Sequence, residues 1–227
     1  MPDRLPPDTR IGRVCLLVQD LKRSAAFYSQ VLGFSTLEQD DDQAVLGAQE
    51  QALLVLQSGA KTARASGCSG LYHFAVRLPT RQALAQLVYH LAMREIALQG
   101  FGDHKVSESV YLADPDGNGI EFYRDRPTSQ WQRDEAGRLV MGTEEVDLDA
   151  LLKLVKPDQR WAGLPKGSQV GHVHLHVADL AESIAFYRDV IGFDLVQRYG
   201  DQAAFLSAGG YHHHIGINTW AGKGAPP

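Results

Sequence analysis

Imidazole dominates the chemistry that this 227-residue sequence could carry. It holds nine histidines, and six of them (His172, His174, His176, His212, His213 and His214) fall within one short stretch. They lie inside apolar, strand-like runs, VGHVHLHV and YHHHIGIN, and so do not read as a tag. Near neutral pH an imidazole does two kinds of work: it ligates transition metals through a bare ring nitrogen, and it accepts and returns protons. At the period of two of a strand, His172, His174 and His176 share one face, each about 7 Å from the next. The same alternation sends His213 to one face and its two neighbours to the other. Glu121 sits between Ile120 and Phe122 and faces away from both, toward solvent or toward a ligand. A lone strand histidine is more often a hydrogen-bonded core residue than a ligand, so these residues leave both readings open at this stage.

The elements that must position these residues come from an internal repeat. An offset of 159 positions lays Ile11–Phe34 on Val170–Phe193, with 13 of 24 residues identical. Val14, Leu16 and Val18 alternate as a strand requires. Asp20 then precedes a segment whose Ala25, Phe27, Tyr28, Val31 and Leu32 predict a short amphipathic helix, which Gly33 ends. Strands follow at Gln43–Gly47 and Gln51–Gln57, and in the second copy at Gln202–Ser207 and His212–Asn218. A weaker copy starts with a strand at Leu71–Leu78 and a helix capped by Thr80. Its strands at Val106–Leu112 and Gly119–Tyr123 are joined by the turn Asp114-Pro115-Asp116-Gly117-Asn118. The expected order is module 1 (9–58), module 2 (68–126), a connector (127–167) with one helix stopped by Pro157, and module 3 (168–227). The fold class is α+β, built from repeated βαβββ modules.

Three such modules carrying DL..S..FY..V.GF and DPDGNGIEFY resemble the vicinal oxygen chelate superfamily, which spans glyoxalase I, bleomycin-resistance proteins and type I extradiol dioxygenases. The strings LYHFAV, VSESVYLADPDGNGIEFYRDRP, GHVHLHV and SAGGYHHHIGINTWAG are most similar to tandem catechol-2,3-dioxygenase-like proteins. The resemblance implies cup-shaped mixed sheets closed by paired modules, with metal ligands on first and last strands. It gives His172, seven residues before Asp179, and His73, seven before Thr80, as first-strand ligands, and Glu121 as the last-strand ligand. In module 1 the same count reaches Arg13, which does not ligate a cation. Two histidines and one carboxylate with open positions form the facial triad of non-haem Fe(II) oxygenases, and Mn(II) suits the same donors.

The resemblance further implies that Tyr111, ten residues before Glu121, bonds a substrate hydroxyl, that His104 supports it, and that His213 is the acid–base histidine, with His212 or His214 as the alternative. The implied activity is extradiol cleavage of a catechol by O₂. A glyoxalase-type isomerase or thiol transferase needs a second carboxylate on module 3, and no Asp or Glu follows Asp201. A binding protein of the bleomycin-resistance type would lack ligands in its cup.

This ligand set requires module 2 to pair with module 3, either within one chain or between subunits. Module 1 is then expected to pack on a neighbouring chain or on a fourth module not present here, which makes the protein at least a homodimer. The net charge of −5 argues against nucleic-acid or anionic-membrane partners. No apolar run reaches membrane-spanning length, and Met1–Arg10 lacks a signal-peptide core. Cys15 and Cys68 have no redox or metal spacing, which suits the cytoplasm. Trp131, Trp161 and Trp220 are expected as packing anchors.

Overall fold

A computed structural model describes residues 4–62, 65–156 and 160–227. Its strands form two curled mixed sheets. The smaller sheet holds β1 (Val14–Val18), β2 (Ser35–Gln39), β3 (Gln43–Ala48) and β4 (Gln51–Ser58) in the order β1-β4-β3-β2, with β1 parallel to β4. After β1, Asp20 caps α1 (Leu21–Ala26) by accepting from the Arg23 amide at 3.0 Å.

The helix does not continue as a regular α-helix. Phe27–Val31 form a wider π-turn, as Phe186–Ile191 do in the repeat. Each wide turn begins at an adjacent aromatic pair, Phe27-Tyr28 or Phe186-Tyr187, and single π-turns of this kind relieve a local mismatch within a helix. Tyr28 is fully buried, and its hydroxyl donates to Asp114 at 3.0 Å. Gly33 (φ 80°) and Gly192 (φ 99°) supply the left-handed residue expected after each turn.

The larger sheet contains β5 (Gly70–Arg77), β6 (Gly100–Asp103), β7 (Ser107–Ala113), β8 (Gly119–Asp125), β9 (Gln169–His176), β10 (Asp194–Tyr199), β11 (Ala203–Ser207) and β12 (Ile215–Asn218). Its order is β10-β11-β12-β9-β5-β8-β7-β6. The joint is β5 against β9, antiparallel, so the second and third repeats of the sequence share one half-barrel within a single chain. Helix α2 (Arg81–Met93), with Thr80 accepting from the Ala83 amide at 3.1 Å, covers the convex side of one half. Helix α4 (Leu180–Ala185) covers the other, packing Leu180 and Ile184 against Leu206 and Ile217.

Three expectations are corrected here. The first concerns the opening repeat. Val14, Leu16, Val18, Leu54 and Leu56 lie in one continuous core with Phe74, Leu84, Leu87, Val110, Ile120 and Phe122. The helix-side face of the small sheet is therefore buried within this chain, against the back of the large sheet, and needs no neighbouring chain or further module to cover it. Apolar area drives this, because both βαβββ units carry an unsatisfied helix layer.

The second concerns the end of the third repeat. The expected strand over 212–218 begins only at Ile215, and His212–His214 form a bend before it. The third concerns strands that went unread: β2, β6 and β10 are short, half-exposed edge segments without clear alternation. The connector keeps one short helix, α3 (Leu148–Leu152), which packs on α2; Pro157, expected to stop it, lies outside the described residues. The connector also bridges to β6 through Asp103 and Glu144.

Candidate metal centre

The register of the large sheet builds the site. One row across its concave face reads Tyr111 on β7, Glu121 on β8, Ala75 on β5 and His172 on β9, each beside the next. A second row reads Gly119, His73, His174, Gly216 and Phe205. Ala75 is the smallest side chain a strand can place between Glu121 and His172, and it leaves these two long side chains room to lean together. Gly119 and Gly216 clear space in the second row. A Cβ at Gly216 would come within 2.9 Å of the His174 ring, and one at Gly119 within 2.3 Å of the Tyr72 carbonyl oxygen and 3.0 Å of the His73 Cβ.

The imidazole Nε2 atoms of His73 and His172 lie 3.0 and 3.1 Å from the same oxygen, Oε2 of Glu121. All three side chains are buried, and their ligand atoms fall within 4.8 Å of one another. The His73 contact has hydrogen-bond length without hydrogen-bond geometry, so its Nε2 is a buried polar atom with no partner. Donors about 2.1 Å from a common ion at right angles are themselves about 3 Å apart, which matches these two separations. The residues thus fit a hard-to-borderline divalent cation. No second carboxylate joins the cluster among the described residues.

Burial opposes charge on Glu121, but the two adjacent imidazoles outweigh it and hold the carboxyl well below its usual range. Burial also pushes His172 down to about 4 and His174 and His213 well below the ordinary histidine value. These rings are therefore neutral at pH 7, as ligation and base catalysis both require. The other oxygen of Glu121 accepts from the Ser109 hydroxyl at 2.6 Å, which fixes the carboxylate plane.

A cavity of about 480 Å³ opens above the triad. His73, Glu121, His172, Tyr111, His104 and His213 all line it. The His104 Nε2 lies 2.7 Å from the Tyr111 hydroxyl, and its Nδ1 lies 2.9 Å from the Gly142 carbonyl. His213 stacks near His172, ring centroids 4.1 Å apart. His174 lines the cavity but is committed elsewhere, with its Nε2 accepting from Asn218 at 2.9 Å. His176 is tied to the same Asn218 at 2.7 Å. The live alternatives to His213 are turned away: His212 bonds Asp125 at 2.9 Å, and His214 accepts from the Ala208 amide at 3.2 Å. Arg13 is exposed and does not line the cavity.

Sequence reasoning missed several wall residues. Trp220, expected as a packing anchor, is 49% exposed and forms part of the cavity wall, beside Tyr72 and His174. Met141, Gly142 and Thr143 of the connector close another side. Asp125, behind the cavity, had a readable signal: Glu121, Tyr123 and Asp125 alternate along β8 on the face of the site.

A half-barrel of two βαβββ units with two imidazoles and a carboxylate on its concave face is the architecture of metal-dependent glyoxalases and dioxygenases. Comparisons with known proteins agree. The model of the Glyoxalase/Bleomycin resistance protein/Dioxygenase superfamily matches residues 10–122 and 169–226. The chain is 50% identical over 224 residues to the catechol-2,3-dioxygenase of Bacillus subtilis, covering 97% of this chain and 78% of that protein. It is 29% identical to the Salmonella typhimurium virulence protein STM3117 over 118 residues, 50% of this chain and 82% of that one. A solved Bacillus subtilis structure ascribed to a dioxygenase shares the fold at a TM-score of 0.59 and 16% identity, covering 92% of this chain and 63% of that one. The chain belongs to the Glyoxalase/Bleomycin resistance protein/Dioxygenase superfamily. The triad and this kinship together imply a metal cofactor.

Proposed function

We propose that the chain is an extradiol ring-cleaving dioxygenase that inserts O₂ into a catechol, with His73, Glu121 and His172 as the ligands of Fe(II). The observation that carries this reading is the convergence of two imidazole Nε2 atoms on one carboxylate oxygen at the floor of a cavity that also holds His213, Tyr111 and His104. Bound there, Fe(II) would take the catechol as an anion and engage O₂, and Mn(II) suits the same donors. The 50% identity to a catechol-2,3-dioxygenase supports the substrate class.

The residues around the triad divide the remaining work. A carbonyl only accepts, so the His104 Nδ1 donates to Gly142, and the His104 Nε2 is left to accept from the Tyr111 hydroxyl. Burial and the nearby Glu121 carboxylate raise the Tyr111 hydroxyl well above its usual value, so it stays protonated. With its O–H donating to His104, the Tyr111 oxygen can accept from the catechol hydroxyl that keeps its proton. His213 accepts the other hydroxyl's proton and returns it during ring opening. Phe101, Met141, Phe205 and Trp220 offer apolar surface for a planar ring and exclude water.

Two further proposals concern the whole protein. Cys15 and Cys68 are both free thiols, which supports a cytoplasmic location. Leu17, 58% exposed on the open face of the small sheet, supports association at least as a dimer. No helix among the described residues is long and apolar enough to cross a membrane. Oxygen uptake by the Fe(II)-loaded protein on addition of catechol, with formation of a yellow ring-fission product, tests the function. Uptake without a ring-opened product would reject it.

A further inference from the structure

Behind His213 lies a chain of buried polar contacts that the proposed reaction does not itself use. The Nδ1 of His213 is 2.8 Å from the Nδ1 of His212, and the Nε2 of His212 is 2.9 Å from Oδ1 of Asp125. His212 is fully buried. Tyr211 stacks on its ring at 4.0 Å between centroids, and Trp131 sits edge-on at 5.6 Å. Asp125 also accepts from Arg77 at 3.0 Å and from the Tyr211 hydroxyl at 3.1 Å, and Tyr211 is tied to Tyr123 at 2.7 Å. An aromatic and ionic frame thus holds His212 in one orientation.

Donor and acceptor rules constrain where the protons of the chain sit. A carboxylate only accepts, so the Nε2 of His212 carries its hydrogen. With that one hydrogen on the ring, the Nδ1 of His212 is bare, and the 2.8 Å contact is then made with the Nδ1 of His213 as the donor. The Nε2 of His213 is left bare on a ring that lines the cavity. We propose that Asp125 and His212 are positioning residues that set the tautomer and ring orientation of His213, so that its unprotonated Nε2 faces the substrate. This rests on the dioxygenase reading for its purpose, though not for its geometry.

Long-range ¹H–¹⁵N correlation on the full chain, stripped of metal and labelled at histidine, reads the tautomers directly. The His213 signals are assigned as those missing from His213→Phe. In the unmodified protein His213 should carry its proton on Nδ1 and His212 on Nε2. Asp125→Asn, whose amide nitrogen can donate to the ring, should shift His213 toward the Nε2–H form. His212→Gln, which places no acceptor where Nδ1 stood, should do the same. His212→Asn, whose amide oxygen replaces Nδ1, should restore the original tautomer. In Fe(II)-loaded protein the first two variants should lose at least about tenfold in kcat, with KM for catechol and bound iron within about twofold, while His212→Asn recovers most of the loss.

An Nε2–H tautomer of His213 or a doubly protonated His212 in the unmodified protein would overturn the proposal, even if no variant folds. So would an unchanged His213 tautomer in His212→Gln. The two readings fail separately: an inactive protein with the expected tautomers rejects the dioxygenase, and an active one with reversed tautomers rejects the relay.

Discussion

At the scale of single residues, ligand and base should part cleanly on substitution. Glu121→Ala removes the only anionic donor of the triad and leaves two imidazoles, so bound metal and turnover should both be lost. His213→Ala removes no donor from the triad. Metal content should stay near that of the unmodified protein, while kcat falls by roughly 10²–10⁴-fold, the usual range for a general acid–base residue. Metal analysis beside single-turnover kinetics distinguishes the two outcomes, and loss of metal in the His213 variant would show that base and ligand had been exchanged. Arg13→Ala should change neither quantity, because Arg13 is exposed just before β1 and does not line the cavity, although its repeat counterpart is His172.

At the scale of elements, the site depends on small residues as well as on its polar ones. Gly216→Ala would press a methyl against the buried His174 ring and should cost about 1–3 kcal/mol, read as a lower melting temperature. Ala75→Val widens the residue between Glu121 and His172 and should weaken metal binding, measured by titration calorimetry, more than it weakens the fold. A variant that binds metal as tightly as before would show that the two side chains do not need that space.

These dependences also mark where the sequence stopped being legible. Val14, Leu16, Val18 and Gly33 could be read because alternation and a left-handed residue are local signals. His73, Glu121 and His172 were expected from the family resemblance, which places a ligand seven residues before a helix cap and another on the last strand. The relation of Ala75 to its flanking strands could not be read, because cross-strand register is set by tertiary packing. The orientation of His212–His214 depended on a bend where alternation predicted a strand. His213 nonetheless reached the cavity, because Asp125 and Ala208 hold its two neighbours away from it.

At the scale of the whole molecule, burial of neutral histidines makes stability depend on pH. His172 and His214 are held at about 4 by burial, and His174 and His213 lie well below 6.5. In the unfolded chain these rings titrate near 6.5, so between about pH 6.5 and 4 the unfolded state binds more protons. The stability from keeping them neutral is fully present above pH 6.5 and is lost as pH falls toward 4. Each ring contributes up to about 1.4 kcal/mol per pH unit within that window. Thermal melts of the metal-free protein should therefore drop steeply between pH 7 and 5, and a flat profile would mean that the rings are not held neutral.

The two-sheet arrangement bears on assembly as well. The small sheet buries its helix side against the large one and leaves Leu17 exposed on the other side. Light scattering should show a particle of at least twice the chain mass of 24.9 kDa. A monomer at micromolar concentration would remove the dimer without touching the metal centre, since all three proposed ligands come from one chain.

The most direct test of the central claim is oxygen consumption by anaerobically reconstituted protein. Stripped of metal, loaded with Fe(II) and assayed for iron, the chain should bind about one ion. On addition of catechol it should then consume one O₂ per catechol as the yellow ring-opened product appears, and Glu121→Ala treated identically should do neither. Stoichiometric iron at His73, Glu121 and His172 with no oxygen uptake would contradict the account, as would equal uptake by the Glu121 variant.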